Sequence, residues 1–405
     1  MIIIDILFII SSLYCVSVAL YFFTLTLAAF FFHKKTATFP VPPAIAVLIP
    51  AHNEELQIEK TLQQVYKSGY PEDRYSVMVI ADNCDDRTAE FARAAGATVF
   101  ERNDTANRGK GQALDWFLRQ YTEAYGAFQI VALIDADALM SESYLSEVAS
   151  SLSHPDVQVV QGYNGVSNPE DNWRTAISTA AFNVFNHLRP AGRNVIGGTA
   201  GLKGNGMAFR TPILKKYGWP AHSIVEDLEF SLQLLHDGIL IHYNPDALVV
   251  SEMAIEKKQL QTQRERWEGG RLEIFKKNAL CVFKKFAGSG SIKYLDEFME
   301  LITPPLSLFL IIQSALFALT LLHYHAWTPV FIAICAVEIF YVLSGQILRK
   351  TPLSVWIYLL AAPFYILSKL PIYLSLALRG KVQSWKRTKR KSELKDIDKT
   401  GPDES

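Results

Sequence analysis

Apolar positions along this chain fall into two kinds of pattern. From Ile6 to Phe32, 27 positions run without a charge. About 20 apolar residues cross a bilayer as a helix, so this stretch is long enough. A cleaved leader would carry an apolar region of about 7–15 residues behind basic ones. Here Asp5 precedes the run and Lys34-Lys35 follow it, which predicts a retained anchor. Leu306–Leu322, Ala326–Leu348 and Pro352–Leu378 are further candidates. Glu338 interrupts the second, and Pro363, Lys369 and Pro371 interrupt the third. Between residues 44 and 300 no such run occurs. The pattern predicts an anchor (1–35), a soluble domain (44–285), a membrane region (286–380) and a tail (381–405). Phe39–Pro43, FPVPP, reads as a stiff linker.

Within the soluble part the pattern changes. Short apolar runs at Ala44–Ile49, Ser76–Ala81, Ala97–Phe100, Phe128–Ile134 and Val157–Gln161 predict strands. Between them, Glu55–Lys67, Thr88–Ala95, Gly111–Ala124 and Glu142–Leu152 have helical apolar spacing. This alternation predicts an α/β fold, a parallel sheet with helices on both faces.

Composition narrows the classes. Half of the residues are hydrophobic and 20% are charged, against roughly 25% in soluble domains. Disorder is excluded for most of the chain. Lys+Arg and Asp+Glu balance at 40 each, which argues against nucleic acid as a partner. Cys15, Cys84, Cys281 and Cys335 are scattered without CxxC spacing, so no disulfide framework is expected. Basic residues beside spans mark the cytosolic side. Lys34-Lys35 then puts the soluble domain in the cytosol, and Arg349-Lys350 marks a cytosolic loop. Arg379–Lys391, with seven basic residues and no acid, suits anionic membrane lipid there too. Three full C-terminal spans would put that tail outside. One of them is therefore expected not to cross, with Pro352–Leu378 or the Thr303-Pro304-Pro305 break as the place.

Ligands of α/β sheets bind outside the carboxyl ends of strands. After the first predicted strand come His52-Asn53-Glu54-Glu55, after the second Asp82-Asn83-Cys84-Asp85-Asp86, and after the fourth Asp135-Ala136-Asp137. One acidic strand end is an ordinary helix cap, but three on one edge suggest a site. Asp135 and Asp137 follow a buried-strand pattern and can share one divalent cation, since Mg²⁺ takes one or two carboxylates plus substrate phosphates. Arg108-Gly109-Lys110-Gly111 is not a phosphate loop, because Asp104 stands where its first glycine belongs. No GxGxxG is present, and DNCDDR lacks the EF-hand glycine. His52, His187, His222 and His236 have no metal-ligand spacing.

In order along the chain stand IPAHNEE (Ile49–Glu55), ADNCDDRTAE (Ala81–Glu90), RGKGQAL (Arg108–Leu114), DAD (Asp135–Asp137), GNG (Gly204–Gly206), VEDLE (Val225–Glu229) and QRERW (Gln263–Trp267). Together they resemble the membrane-embedded family 2 glycosyltransferases, whose members include cellulose, chitin, hyaluronan and poly-N-acetylglucosamine synthases and ceramide glucosyltransferases. The resemblance covers residues 44 to about 285 and implies a GT-A (Rossmann-like) domain between membrane segments. It implies a nucleotide-sugar donor, usually a UDP-hexose or UDP-N-acetylhexosamine, with Mg²⁺ or Mn²⁺, and a bacterial plasma membrane.

Carried over by motif, Asn53, Glu54 and Asp82 would hold the uridine and Lys110 would lie near the diphosphate. Asp135 would contact the nucleotide or metal, and Asp137 the metal. Asp227, paired with Glu226, would be the base. Gln263, Arg266 and Trp267 would close over the diphosphate and acceptor. Val225 replaces the threonine of many polymer synthases, and GNG differs from the cellulose synthase motif, so no single product transfers.

The residue types suit that chemistry. Leaving-group charge is met by cations or a metal, and the acceptor hydroxyl needs one carboxylate as base. Other readings stand beside these. Glu226-Asp227 also suits a helix N-terminus. Lys257–Lys285, with Trp267, Phe275 and Phe283 interleaved, also suits a membrane surface. Gly201, Gly204 and Gly206 suit either a turn or close approach to an acceptor. Glu338 would line a polar path or pair with Lys369. The expected acceptor is a lipid or a growing glycan. A processive synthase with so few spans would need an oligomer or an export partner. A transporter is disfavoured by the lack of repeat symmetry, and an inactive scaffold by the filled motif positions.

Overall fold

The computed structural model describes residues 2–220, 225–253, 257–371 and 373, with the backbone alone for 257–267. His222 and Arg379–Lys391 lie outside the described residues. Two compact units emerge. One holds His33–Asn168 and Ala200–Leu260; the other holds Met1–Phe32, Pro169–Thr199 and Gln261–Gln383. Residues 169–199, expected inside the soluble domain, thus fold with the apolar helices.

The first unit is an α/β fold. Among the described residues its strands are β1 (Ile45–Ala51), β2 (Tyr75–Asp82), β3 (Thr98–Arg102), β4 (Ile130–Leu133), β5 (Ala138–Met140), β6 (Val159–Val166), β7 (Met207–Arg210) and β8 (Ile241–Ser251). They form one sheet in the order β3-β2-β1-β4-β7-β6-β8-β5. β1, β2, β3 and β4 are parallel neighbours. All seven residues of IAVLIPA but Pro50 are buried, as a strand covered on both faces requires. The helix Ile58–Tyr66 buries Ile58, Thr61, Leu62 and Val65, one apolar stripe.

The sheet is not wholly parallel as expected. β7 runs antiparallel to β4 and β6, and β5 antiparallel to β8. β5, β7 and β8 escape the apolar pattern for identifiable reasons. β5 and β7 are very short, and β8 carries Asn244-Pro245-Asp246 in its middle. Proline cannot donate to a ladder and sits at a bulge, and the β6–β8 register shifts between Gly162 and Tyr163. A Cβ on Gly162 would meet the Ala247 carbonyl at 2.2 Å, so only glycine fits opposite that bulge.

Lys34 and Lys35 are engaged by this unit. Lys34 Nζ lies 2.6 Å from both Glu147 and Asp246, and Lys35 3.5 Å from Asp156. The Ala37 N–H donates to the Ser150 carbonyl (2.9 Å) and Tyr70 OH to the Pro43 carbonyl (2.6 Å). The Pro-rich linker is a strap on the sheet domain.

The second unit is helical. Ile2–Phe30 and His325–Leu348 are long and apolar enough to cross a membrane. Ile292–Ile302 and Leu306–Leu322 together make a third candidate, bent by 74°. The break is at Thr303-Pro304-Pro305, since proline removes donors and its predecessor avoids helix. Within the last expected span, Pro352–Leu378, Leu353–Leu367 forms short helical pieces, and residues 372 and 374–378 lie outside the described residues. Phe8 stacks on Tyr324 (3.9 Å) and Tyr324 OH donates to Asp5 (2.7 Å), while Phe22 stacks on Tyr341 (4.3 Å). The first helix therefore runs parallel to His325–Leu348.

Several buried charges in this unit are paired. Arg193 pairs with Asp296 (2.9 Å) and Glu297 (2.6 Å), and Arg189 with Glu300 (3.3 Å). Tyr21 OH adds a bond to Asp296 (2.9 Å). Unpaired, such groups would be costly to bury. Glu338 is 5% exposed, and Lys369 does not pair with it; Lys369 faces Glu268 at 3.7 Å.

A Cβ on Gly192 would stand 2.3 Å from the Leu25 carbonyl. Small residues permit such close helix approach. Gly192→Ala should push these helices apart at a cost of about 1–3 kcal/mol. A lower thermal midpoint of the full chain in detergent would register it; an unchanged midpoint would contradict this packing.

Candidate active site

Topology places the acidic loops together. β2, β1 and β4 are adjacent and parallel, so their carboxyl ends share one edge. The loops after β1 and β2 brace one another. Asn53, at φ 54°, accepts the Asp85 N–H (3.0 Å) and donates to the Asp85 carboxylate. Thr88 Oγ1 accepts the Glu54 N–H (2.7 Å), and Asp86 accepts the Glu55 N–H (3.1 Å). These bonds hold residues 53–55 out of the following helix, which begins at Ile58 rather than Glu55.

Asp82 ends β2 with a partner that sequence reasoning missed. Its Oδ1 takes Arg102 Nη1 at 2.6 Å and Asn83 Nδ2 at 2.8 Å. The side chains of Arg102 and Asp82 are 5% and 7% exposed. Arg102 ends β3, and the parallel register sets it beside Asp82. It also donates to Asp104 (2.9 Å) and to the Asn107 carbonyl (2.8 Å). The available signal was a basic residue ending the strand next to an acidic strand end.

The second cluster joins motifs more than 90 residues apart. Gly109, at φ 122°, turns the chain so that Lys110 opens the helix Lys110–Gln120. Lys110 Nζ donates to the Asp135 carboxylate and to the Gly204 carbonyl. Asn205 accepts the Asp135 N–H (3.1 Å) and the Gly206 N–H (2.8 Å) on its side-chain oxygen. Gln161 Nε2 donates to the Asn205 carbonyl (2.8 Å). Gly204, at φ 77°, has the Asp227 carboxylate 3.3 Å from where a Cβ would be. Glycine takes this conformation freely and leaves room for the acid.

Glu226 and Asp227 open the helix Glu226–His236. Phe230 anchors it against Trp219 (5.0 Å) and Phe209 (5.9 Å). Ser231 Oγ accepts the Leu202 N–H (2.8 Å), tying the helix to the glycine-rich loop. Burial, then the neighbouring Asp227, pushes the Glu226 carboxyl up to about 7 against the pull of Lys110. Burial also raises Asp227, opposed by the Leu228 N–H and by Lys110 and Lys203. Burial disfavours the Lys110 charge, but Asp135, Glu226 and Asp227 outweigh it and hold its pKa high. The site thus combines one partly buried ammonium with carboxylates that are reluctant to ionise.

Among the described residues no group of three or more His, Cys, Asp or Glu could hold a metal. Asp135 and Asp137 are hard oxygen donors two positions apart and fit an ion that takes its other ligands from phosphate. Gln263 and the Arg266-Trp267 pair lie on the helix Lys257–Ser289, and their side chains are outside the described residues.

Comparison with known proteins bears on the family and the fold. A family profile described as "Glycosyltransferase like family 2" matches residues 42–270. The chain is 28% identical over 252 residues to the probable glycosyltransferase YdaM of Bacillus subtilis, covering 60% of this chain and 58% of that protein. It is 30% identical over 235 residues to the beta-monoglucosyldiacylglycerol synthase of Trichormus variabilis, covering 56% and 49%. The chain thus spans about half the length of the curated relatives it matches. Its fold is similar to that of the mannosyltransferase PcManGT from Pyrobaculum calidifontis, solved with GDP-Man and Mn²⁺. The TM-score is 0.54 at 20% identity, covering 84% of this chain and 96% of that one.

Two outcomes are expected here. Arg102→Met strands a buried Asp82 carboxylate and should cost about 3–5 kcal/mol. Adding Asp82→Leu should recover much of it, read as thermal midpoints in a double-mutant cycle. Glu226 binds its proton more tightly folded than unfolded, with pKa about 7 against 4.5. Stability should therefore fall as pH rises from about 4.5 to about 7 and then level. Glu226→Gln should flatten that interval of the midpoint-versus-pH curve.

Proposed function

The chain belongs to the family 2 glycosyltransferases, and on that footing we propose that it is an inverting, metal-dependent enzyme that moves one sugar from a nucleotide sugar to a membrane-held acceptor. The observation that carries this reading is the convergence of Lys110, Asp135, the Gly204 carbonyl and Asp227. Asp227 takes the proton of the acceptor hydroxyl as its oxygen attacks the anomeric carbon. The bond from that carbon to the diphosphate breaks on the opposite face, and the configuration inverts. Lys110 meets charge developing on the leaving diphosphate. A divalent ion held by Asp135 and Asp137, Mg²⁺ or Mn²⁺, would supply further neutralisation there. Asn53 and Asp82 shape the loops that receive the nucleotide, with Glu54 beside them. Gln263, Arg266 and Trp267 close over the diphosphate and acceptor.

The acceptor in this proposal is a lipid hydroxyl, which places the enzyme in building a lipid-linked glycan or glycolipid of the cell envelope. The similarity to a diacylglycerol-lipid synthase favours it, as do the few candidate spans. In the proposed layout, 1–35 anchors, 44–285 carries the catalytic domain, 286–380 lies in the membrane and 381–405 is a basic tail. Three crossings, by Ile2–Phe30, Leu306–Leu322 and Thr328–Leu348, return Arg349-Lys350 to the side of Lys34-Lys35. The Asp5–Tyr324 contact lies on the opposite side and supports this count. The domain then faces the cytosol of a bacterial plasma membrane.

Membranes bearing the protein, given labelled UDP-sugars and Mg²⁺ or Mn²⁺, should place label in the organic extract. Asp227→Asn should lower the rate about 10²–10⁴-fold, and EDTA should abolish it. Label in a high-molecular-weight pellet would instead mean chain elongation on a growing glycan, and turnover independent of both controls would exclude the mechanism. Because the base acts ionised and burial raises it above the usual carboxylate range, kcat/KM should fall as pH drops through its titration.

A further inference from the structure

Just past Trp267, the helix Lys257–Ser289 makes two polar attachments within the helical unit. At position 268, Glu268 Oε1 accepts from Tyr373 OH (3.1 Å) and faces Lys369 Nζ (3.7 Å). Lys369 donates to Ser307 Oγ (3.0 Å), which also bonds Tyr373 OH (2.6 Å). Three positions later, Arg271 Nη2 reaches the Glu300 carbonyl (2.7 Å), the Glu300 carboxylate (3.1 Å) and the Thr303 carbonyl (3.3 Å).

Both attachments converge on one place. Glu300, Thr303 and Ser307 flank the Pro304-Pro305 break between Ile292–Ile302 and Leu306–Leu322. Residues three apart share a helix face, so 268 and 271 grip the break with one side of the helix. The grip is largely dry: the side chains of Glu268, Lys369 and Arg271 are 12%, 14% and 18% exposed. The bonds are directional, which fixes rotation about the helix axis as well as distance. A continuous helix passes that rotation to the turn before it, Gln263–Trp267.

We propose that Glu268 and Arg271 are positioning residues that set the orientation of the Gln263–Trp267 turn from the Pro304-Pro305 break. This rests on the reading that Gln263, Arg266 and Trp267 take part in glycosyl transfer. In this proposal they act through the turn and not on the reacting groups. Their effect is on how often the turn stands in the productive orientation, which enters kcat more than donor affinity.

The variants leave the fold its other supports. Glu300 keeps Arg189 when Arg271 is lost, and Glu268→Gln keeps the side-chain volume. The full chain in lipid nanodiscs would be measured as wild type, Glu268→Gln, Arg271→Met, the double variant, and the exchange of Glu268→Lys with Lys369→Glu. Two readouts are needed: amide hydrogen exchange over 261–267, and kcat and KM for the nucleotide sugar. The expected result is faster exchange over that stretch and a kcat lower by about 10- to 100-fold. Donor KM should move little, the thermal midpoint should hold, and the charge exchange should recover part of the loss. Exchange over 261–267 unchanged in the double variant would overturn the proposal, as would a kcat loss matched by a lower midpoint. Faster exchange with undiminished kcat would also overturn it as a statement about catalysis. Trp267→Ala separates the two readings, because full activity in that variant removes the motif's role itself.

Discussion

The ammonium of Lys110 lies between the Asp135 carboxylate and the Gly204 carbonyl. That contact joins a helix N-terminus, the end of β4 and the glycine-rich loop, and Glu226 and Asp227 bear on the same charge. Without a cation here, three acids would crowd one low-dielectric space. With it, Asp135 stays in place while burial still holds Glu226 and Asp227 above the usual carboxylate range. Carboxylates held above their usual range bind a proton more readily than exposed ones.

Backbone geometry makes that arrangement possible. Gly204 takes a positive φ where a side chain would crowd Asp227. The Asn205 oxygen collects the N–H groups of Asp135 and Gly206, which ties the end of β4 to the loop before β7. On the neighbouring strands, Arg102 neutralises Asp82, and Asn53 with Thr88 and Asp86 braces the loops. Several polar side chains that read as ligand contacts in the sequence have structural partners here. The shape of the loops at this sheet edge is their first product.

The helical unit solves a different problem. It buries Arg189 and Arg193 beside Asp296, Glu297 and Glu300 among apolar helices, and each of these cations has an acid. Arg271 adds the helix that carries Gln263–Trp267 to the same set of partners. Directional ion pairs stabilise little net of desolvation. Here they tie Arg189 and Arg193 to the Ile292–Ile302 helix.

Much of this was legible beforehand. The apolar runs of β1, β2, β4 and β6 announced themselves because strands covered on both faces must be continuously apolar, whereas β3, at the sheet edge, showed only a short run. Their order in the chain, with helices between, implied parallel neighbours, and so one edge for Asp82, Asp135 and the residues after β1. β5, β7 and β8 were not legible, since short strands and one bulged at Pro245 carry no periodicity. The grouping of 169–199 with the apolar helices was equally hidden, because contacts between distant segments leave no local pattern. The sequence by itself determined which residues could do chemistry and at which strand ends they stand, through hydrophobic period and residue type. Only the tertiary structure decided that Arg102 answers Asp82, that Lys110 meets Gly204 and that Lys369 answers Glu268 rather than Glu338. Those pairings depend on sheet register and helix packing, which are set by the whole chain.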